Sequence, residues 1–494
     1  MVANRPSRHT LPALVALEVD RVSGVPVFRQ IAVQLRGKIV THALLPGTRL
    51  PASRELARHL LVARNCVVEA YDELIAEGIL EGRGRHGTFV AVSVPDVRAA
   101  ADGPTWQPLL LQRVRHDEIR PAEGSVGASF DWRPGQACTR SLPLDVWRNA
   151  CREAGRHLPP QGYGDPRGEL GLRRAIADWI REHRSVYVTS DQIIVTHGTG
   201  HALHLAAQTL LRRGDLCATE DPGYAGAALA FLRSGALLRY TPVDAEGLVV
   251  DRIIEDSASP LLVHVTPAHQ YPMGWRLSGS RRTALVELAR TRAMLIIENE
   301  YDCEFHYTGT NHPPIFSYAP ESTLLLNTFA KAVSPSLRLG FIVAPPVVAA
   351  ALVAHIERER THVSWPVQKV AETLLKSGEL DRHLRRVRRH YGAMRDTIRQ
   401  RLAQYADVIT LAGEEGGLHV VIAGRENSFD RVLRAAMRSN GIVFNDVRDF
   451  AMLESAPRGF LLGYGHMDSE ALTRSLDVFE RCIRRIKHRD HPPR

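Results

Sequence analysis

The sequence predicts two unlike folds on one chain: a winged helix-turn-helix of α+β type over residues 1–92, and a larger α/β domain over residues 129–494. Three observations carry this expectation. Residues 27–92 run helix, helix, turn, helix, then two short apolar stretches around a glycine-rich tip. From residue 129 on, apolar strand-like runs alternate with helical patterns, the signature of a mainly parallel sheet. Between them, residues 93–128 hold Pro95, Gly103, Pro104, Pro108, Pro121, Gly124 and Gly127 around one amphipathic stretch at 109–114. A loop of that length inside one domain is uncommon, so 93–128 is expected to be a linker.

In the first domain, Phe28, Ile31, Ala32, Leu35, Ile39 and Val40 fall at helical spacing over 27–40, and Pro46-Gly47 ends that helix. Ser53 is placed to cap a short helix carrying Leu56, Ala57 and Leu60. After a turn at 61–63, Val67, Ala70, Tyr71, Leu74 and Ile75 share one face of a second helix, which Gly78 terminates. Ile79-Leu80 and Thr88-Phe89-Val90 read as two strands of a wing whose tip is 82–87. In the second domain, the strand runs are 193–196, 261–265, 295–297 and 324–326, and 382–401 reads as an arginine-dense helix with a solvated face.

Composition narrows the functional classes. The 494 residues are 44% hydrophobic and 24% charged, which argues against disorder, collagen and coiled coil. The best apolar run, 341–356, is broken by Pro345-Pro346, so no membrane span is expected. Cys66, Cys138, Cys151, Cys217, Cys303 and Cys482 show no metal-like spacing, which favours free thiols in a reducing cytoplasm and no metal site. The net charge is +9, of which 12 basic and 8 acidic residues in 1–92 supply +4. That bias points to a polyanionic partner.

The candidate DNA-reading residues follow from the fold. The second helix of a helix-turn-helix enters the major groove N-terminus first. Arg64 and Asn65 stand there, suited to guanine and adenine respectively. Arg54 starts the preceding helix, where a phosphate would sit. Arg83, Arg85 and His86 lie at the wing tip, with Thr88 just past it, where a basic hairpin follows the backbone or a minor groove. The motifs PVFRQI, LPASRELARHL, AYDELIAEG and GTFV in 26–91 resemble the GntR-type winged helix. Ala63 and Cys66 replace the serine and threonine usual there, removing a cap worth roughly 1 kcal/mol.

A second constellation lies in the large domain. NTFAKAVSPSLRLGF (327–341) offers Lys331, with Thr328 before it and Arg338 after it. THGTGHAL (196–203) follows a strand and opens a helix, forming a phosphate cradle of backbone amides. EDPGY (220–224) supplies Tyr224; TPAHQYPMG (266–274) and IIENEYDCEF (296–305) each end a strand. In this order the motifs resemble fold type I aminotransferases. With the winged helix in front, residues 26 to 480 resemble the MocR/GabR family of pyridoxal-phosphate-dependent transcription regulators.

The resemblance implies a fold type I transferase-like domain that holds pyridoxal 5'-phosphate and dimerises. Lys331 would form the Schiff base. Arg338, Thr328 and Thr199, with amides near Gly200, would hold the phosphate. Tyr224 would stack near the ring and Tyr301 would meet its 3-hydroxyl, with Gln270 or His269 assisting. It also implies a cytoplasmic homodimer on promoter DNA, at paired half-sites or direct repeats, and a small amine or amino acid as possible effector.

The chain departs from the family where chemistry is concerned. Asn299, in Glu298-Asn299-Glu300-Tyr301-Asp302, stands where the family's aspartate faces the pyridine nitrogen. A carboxylate there stabilises a protonated, electron-drawing ring; an amide supplies no charge. Glu298 or Glu300 would substitute only if the strand register shifted. Ala330, Asn327, Gly200 and His201 also replace residues usual near the phosphate. Leu461 aligns with the arginine that holds substrate carboxylates; Arg458 is a nearby candidate for an effector, but three residues away it points in a different direction on a strand. The expectation is therefore a regulator with at most a residual transamination half-reaction. A working aminotransferase with an appended DNA-binding module, and a regulator that has lost its cofactor, are the alternatives.

Overall fold

The computed structural model describes residues 17–92, 129–255, 258–308 and 312–490. The expected linker 93–128, with its stretch 109–114, lies outside the described residues. The chain divides into two units, Met1–Gly124 and Ser125–Arg494.

In the first unit, helix α1 (Val27–Val40) buries Ile31, Ala32, Leu35 and Ile39, the stripe its spacing dictates. Helices α2 (Ser53–His59) and α3 (Arg64–Ala76) form the helix-turn-helix, and Leu61 at the turn takes φ 53°. Val67, Ala70, Tyr71 and Leu74 of α3 complete one core with Leu50 and Leu56. Gly78, at φ 71°, lets Ile79 donate back to the Leu74 carbonyl and closes α3. Strands β1 (Leu80–Gly82) and β2 (Thr88–Val90) pair antiparallel as the wing. Ser53 does not cap α2: Ala52 is the N-cap, because the extended Pro51-Ala52 entry makes Ser53 the first helical residue. Its hydroxyl instead accepts from Arg64 Nε at 3.3 Å. Leu35 is fully buried among these helices. Leu35→Ala is expected to cost about 2–5 kcal/mol, measured as a lowered denaturation midpoint of the winged helix.

The second unit is built on an eight-stranded mixed sheet. In chain order its elements are β3 (Phe130–Asp131), α4 (Leu144–Ala154), α5 (Leu170–Arg184), β4 (Ile193–Thr196), α6 (Thr199–Leu210), β5 (Leu216–Asp221), α7 (Ala225–Arg233), β6 (Leu237–Asp244), β7 (Gly247–Leu248) and β8 (Leu262–Val265). Then follow α8 (Gly279–Thr291), β9 (Leu295–Glu300), β10 (Thr323–Thr328), β11 (Gly340–Val343), α9 (Pro346–Glu359), α10 (Trp365–Lys376) and α11 (Glu379–Leu402). The sheet order is β4-β11-β10-β9-β8-β5-β6-β7.

Strands β10, β9, β8, β5 and β6 run parallel, as the alternation predicts. Strand β11 runs against both β10 and β4. The reason is its connection: Thr328 to Gly340 holds no crossover helix, and a parallel return needs one. Because β11 opposes both neighbours, β4 points the same way as β10. The carboxyl ends of β4, β5, β8, β9 and β10 therefore share one edge, and β11 starts there.

A smaller lobe carries the antiparallel sheet β12 (Ile409–Ala412), β13 (His419–Gly424) and β15 (Phe460–Gly463). Helices α12 (Asn427–Ser439) and α13 (Ser469–Asp490) belong to it, and β14 (Ile442–Val443) pairs parallel with β3. Trp132 and Phe479, both fully buried, meet edge-on at 5.2 Å in its core. Helix α11 is solvated on its arginine face, but Arg395 is buried with its guanidinium 5.0 Å from the Tyr307 ring centre. No described helix is long and apolar enough to cross a membrane, and all six cysteines are free.

Candidate cofactor pocket and nucleic-acid interface

In the first unit, Arg54, Arg64 and Asn65 are exposed at the start of α2 and α3. The Ser53 hydroxyl holds Arg64 at its Nε, leaving the fork of the guanidinium to reach outward. No side chain caps α3, so its first amides remain donors. At the wing, Arg85 and His86 are exposed on a short 3₁₀ turn and Thr88 is half-buried. Arg83 is engaged instead: it pairs with Glu81 and lies 4.7 Å from the centre of the Phe89 ring. Exposed ion pairs of this kind are worth little, so a phosphate can displace Glu81. Sequence reasoning missed Arg49. It bridges to Phe89, and its guanidinium packs over Gly87, where a Cβ would stand 3.2 Å from Arg49 Nε. With φ 102°, Gly87 suits neither a side chain nor another residue's backbone.

In the second unit, a cavity of about 250 Å³ opens at the carboxyl edge of the large sheet. The strand ends deliver residues to it: Thr199 and Gly200 after β4, Tyr224 after β5, Tyr271 after β8, Asn299 in β9 and Tyr301 just past it, Thr328 at the end of β10 and Lys331 after it. Arg338 joins them from the turn before β11, at φ 48°. The Lys331 ammonium donates to the Gly135 carbonyl. Burial lowers its pKa and the Asp302 carboxylate opposes this. The Thr328 hydroxyl donates to the Leu339 carbonyl at 3.2 Å and accepts from the Ala330 amide at 3.1 Å, fixing the loop that presents Lys331.

The lining fits a phosphorylated pyridine aldehyde. The first turn of α6 presents unpaired amides and the positive end of its dipole, beside Arg338. The Thr199 hydroxyl is buried without a partner. Gly198 turns at φ 85°, and a Cβ there would point to within 3.8 Å of Thr328 Oγ1. Tyr224 packs edge-on against Tyr271 at 6.1 Å. Burial raises the Tyr224 phenol, and Arg338 pulls it back. Burial also holds the Tyr301 phenol well above its ordinary pKa, and its hydroxyl lies 3.0 Å from His269 Nδ1. The same nitrogen is 2.9 Å from Asp302 Oδ2.

The structure corrects two expectations. Gln270 does not line the cavity. Its buried amide donates to the carbonyls of Pro222 at 2.8 Å and Tyr271 at 2.7 Å, because a buried amide must spend its hydrogens and these acceptors are adjacent. It ties the β5 and β8 loops together, with the buried Glu220, whose carboxyl is pushed up to about 7 by burial. Arg458 is exposed outside the lining, while Leu461 is fully buried in β15 opposite Val421. Neither places a cation over the pocket. The cations among the described lining residues are Lys331 and Arg338. His419 also lines it, unforeseen from sequence; burial lowers its pKa to about 4, and Nε2 donates to the Pro272 carbonyl at 2.8 Å.

The β9 register keeps Asn299 toward the cavity, paired across from Leu326. Its neighbours are used elsewhere. Glu298 accepts from the amides of Ile315 at 2.7 Å and Phe316 at 2.9 Å, and Glu300 pairs with the buried Arg184. Alternation along the strand turns both away from the cavity, so neither stands in for an aspartate at 299.

Residues 28–90 match the family of bacterial regulatory proteins of gntR type, and 131–476 match aminotransferase class I and II. The chain is 31% identical to a probable rhizopine catabolism regulatory protein, MocR, of Rhizobium meliloti, covering 93% of this chain and 94% of that protein. It is also 31% identical to the pyridoxine biosynthesis transcriptional regulator PdxR of Corynebacterium glutamicum, covering 93% and 96%. Among solved structures, a multiple substrate aminotransferase from Thermococcus profundus superposes with a TM-score of 0.67 at 21% identity, over 78% of this chain and 96% of that one. That likeness shows the fold of the second unit.

Proposed function

The chain belongs to the MocR family of transcription regulators, a gntR-type winged helix joined to an aminotransferase class I and II domain, and from that membership we propose how it works. Residues 1–92 read promoter DNA, at paired half-sites or direct repeats, through Arg54, Arg64, Asn65, Arg85 and His86, with Arg83 and Thr88 at the wing. Residues 93–128 link them to a dimerising domain, 129–494, that binds pyridoxal phosphate. The protein acts in the cytoplasm as a homodimer. Ligand in the pocket, the cofactor alone or with a small amine or amino acid, changes DNA affinity because it binds two arrangements of the dimer unequally.

One observation carries the reading. The pocket keeps Lys331, Arg338 and the α6 amides, yet has no carboxylate at 299 and no cation at 461. Such a site is equipped to hold the cofactor more than to turn over a substrate. Pyridoxal phosphate supplies an aldehyde that condenses with an amine and a ring that draws electrons. The chain's residues do the holding. Lys331, whose pKa burial lowers against the pull of Asp302, is the amine that would hold the aldehyde. Arg338, Thr199 and the α6 amides would hold the phosphate, and Tyr224 would lie near the ring. Tyr301, tied to His269, would donate to the ring oxygen.

The test is titration of purified protein with pyridoxal phosphate, following the visible band and promoter binding together. Arg338→Ala is expected to weaken cofactor binding about 10- to 100-fold, the worth of a hydrogen bond to a charged partner. Unchanged affinity with intact circular dichroism would remove Arg338 from the phosphate site.

A further inference from the structure

Asn299 has a buried companion that no motif announces. His264, in β8, is fully buried. Its Nε2 lies 3.3 Å from Asn299 Nδ2, and its Nδ1 lies 3.4 Å from the hydroxyl of Thr219 in β5. Burial drives the imidazole pKa down to about 3, so it stays neutral with one N–H and one acceptor. Asn299 is 3% exposed, and its Oδ1 has no partner. One end of the amide therefore meets His264 and the other meets the cavity.

A half-turn of the amide exchanges its oxygen and nitrogen without moving the side chain. In one arrangement Nδ2 donates to His264 Nε2 and the carbonyl faces the cavity. It would then accept from a protonated pyridine nitrogen. In the other, His264 Nε2–H donates to the carbonyl and the NH₂ faces the cavity, donating to an unprotonated nitrogen. Charge decides between them. A pyridinium buried here would need a carboxylate, and those nearby are committed: Glu298 to two amides, Glu300 to Arg184, and Asp302 to His269. An uncompensated buried charge is the costlier choice.

We propose that Thr219, His264 and Asn299 form a one-way chain of donors that holds the cofactor's pyridine nitrogen neutral. The Thr219 hydroxyl donates to His264 Nδ1, His264 Nε2–H donates to Asn299 Oδ1, and Asn299 Nδ2–H donates to the ring. Every buried polar atom of the three is then satisfied once the ring is in place. His264 is a positioning residue: it acts through Asn299. A neutral ring draws electrons weakly, so the bound ligand persists as a signal and is not converted. This inference rests on the cofactor reading above.

The experiment loads the full-length protein with pyridoxal phosphate carrying ¹⁵N in the ring and records its nitrogen chemical shift near neutral pH. The wild-type signal is expected in the neutral-pyridine range, and Asn299→Asp should move it to the pyridinium range. His264→Phe, which leaves the amide free to turn, should displace the signal from its wild-type position and weaken cofactor retention about tenfold; His264→Gln, which restores a donor, should reverse both. A pyridinium signal in the wild type, or an identical signal in His264→Phe, overturns the chain. If the wild type forms no visible adduct at all, the cofactor reading itself fails and the inference falls with it.

Discussion

Lys331→Ala is expected to abolish the visible absorption band that the protein acquires with pyridoxal phosphate, and with it any adduct trapped by borohydride. Lys331 is the one primary amine among the described lining residues, and only such an amine offers the nucleophile for an aldehyde. Its position is fixed from both sides: β10 and the Thr328 hydroxyl present the loop, and the Gly135 carbonyl receives the ammonium. Burial lowers the pKa of that ammonium, toward the amine that condensation requires. The variant should still fold, because alanine leaves the side-chain contacts of Phe329 and Ala332 in place. Residual non-covalent cofactor binding through Arg338 and α6 is consistent with the account. A persisting band in the variant is not.

The second large effect lies on the DNA side. Arg64→Ala should weaken specific promoter binding by about 1–3 kcal/mol, roughly 5- to 150-fold. Arg64 is the exposed first residue of α3, and Ser53 steers it by one hydrogen bond to Nε. That bond leaves both terminal nitrogens for the two acceptors on a guanine edge. Competition with unrelated DNA separates base reading from backbone contact. A loss confined to the cognate sequence supports the base-reading role; an equal loss on every sequence makes Arg64 a phosphate contact.

Much of this was legible from residue order because the signals are local. The apolar stripe of α1, the turn before α3 and Gly78 each declare themselves within a few residues. The strand ends carrying Thr199, Tyr224, Tyr301 and Lys331 are likewise written as motifs, and the sheet brings them to one edge. What escaped depends on distant neighbours. The reversal of β11 follows from how its connection closes. Gln270 turns from the cavity because the Pro222 carbonyl waits 48 positions away. Gly135, Leu418 and His419 reach the pocket from segments whose residue order assigns them no role there. His264 reads as one more core position in an apolar strand until the register of β8 on β9 sets it beside Asn299.

A promoter-shift titration tests most directly whether the pocket's ligand governs the winged helix. Wild-type protein and Lys331→Ala are compared on cognate DNA across a range of pyridoxal phosphate concentrations, with and without added amines. The cofactor, alone or with an amine, is expected to change the wild-type protein's affinity for the promoter, and Lys331→Ala to lose that response while retaining basal DNA binding. Identical curves for the two proteins, or a wild-type affinity indifferent to every ligand tried, would contradict it.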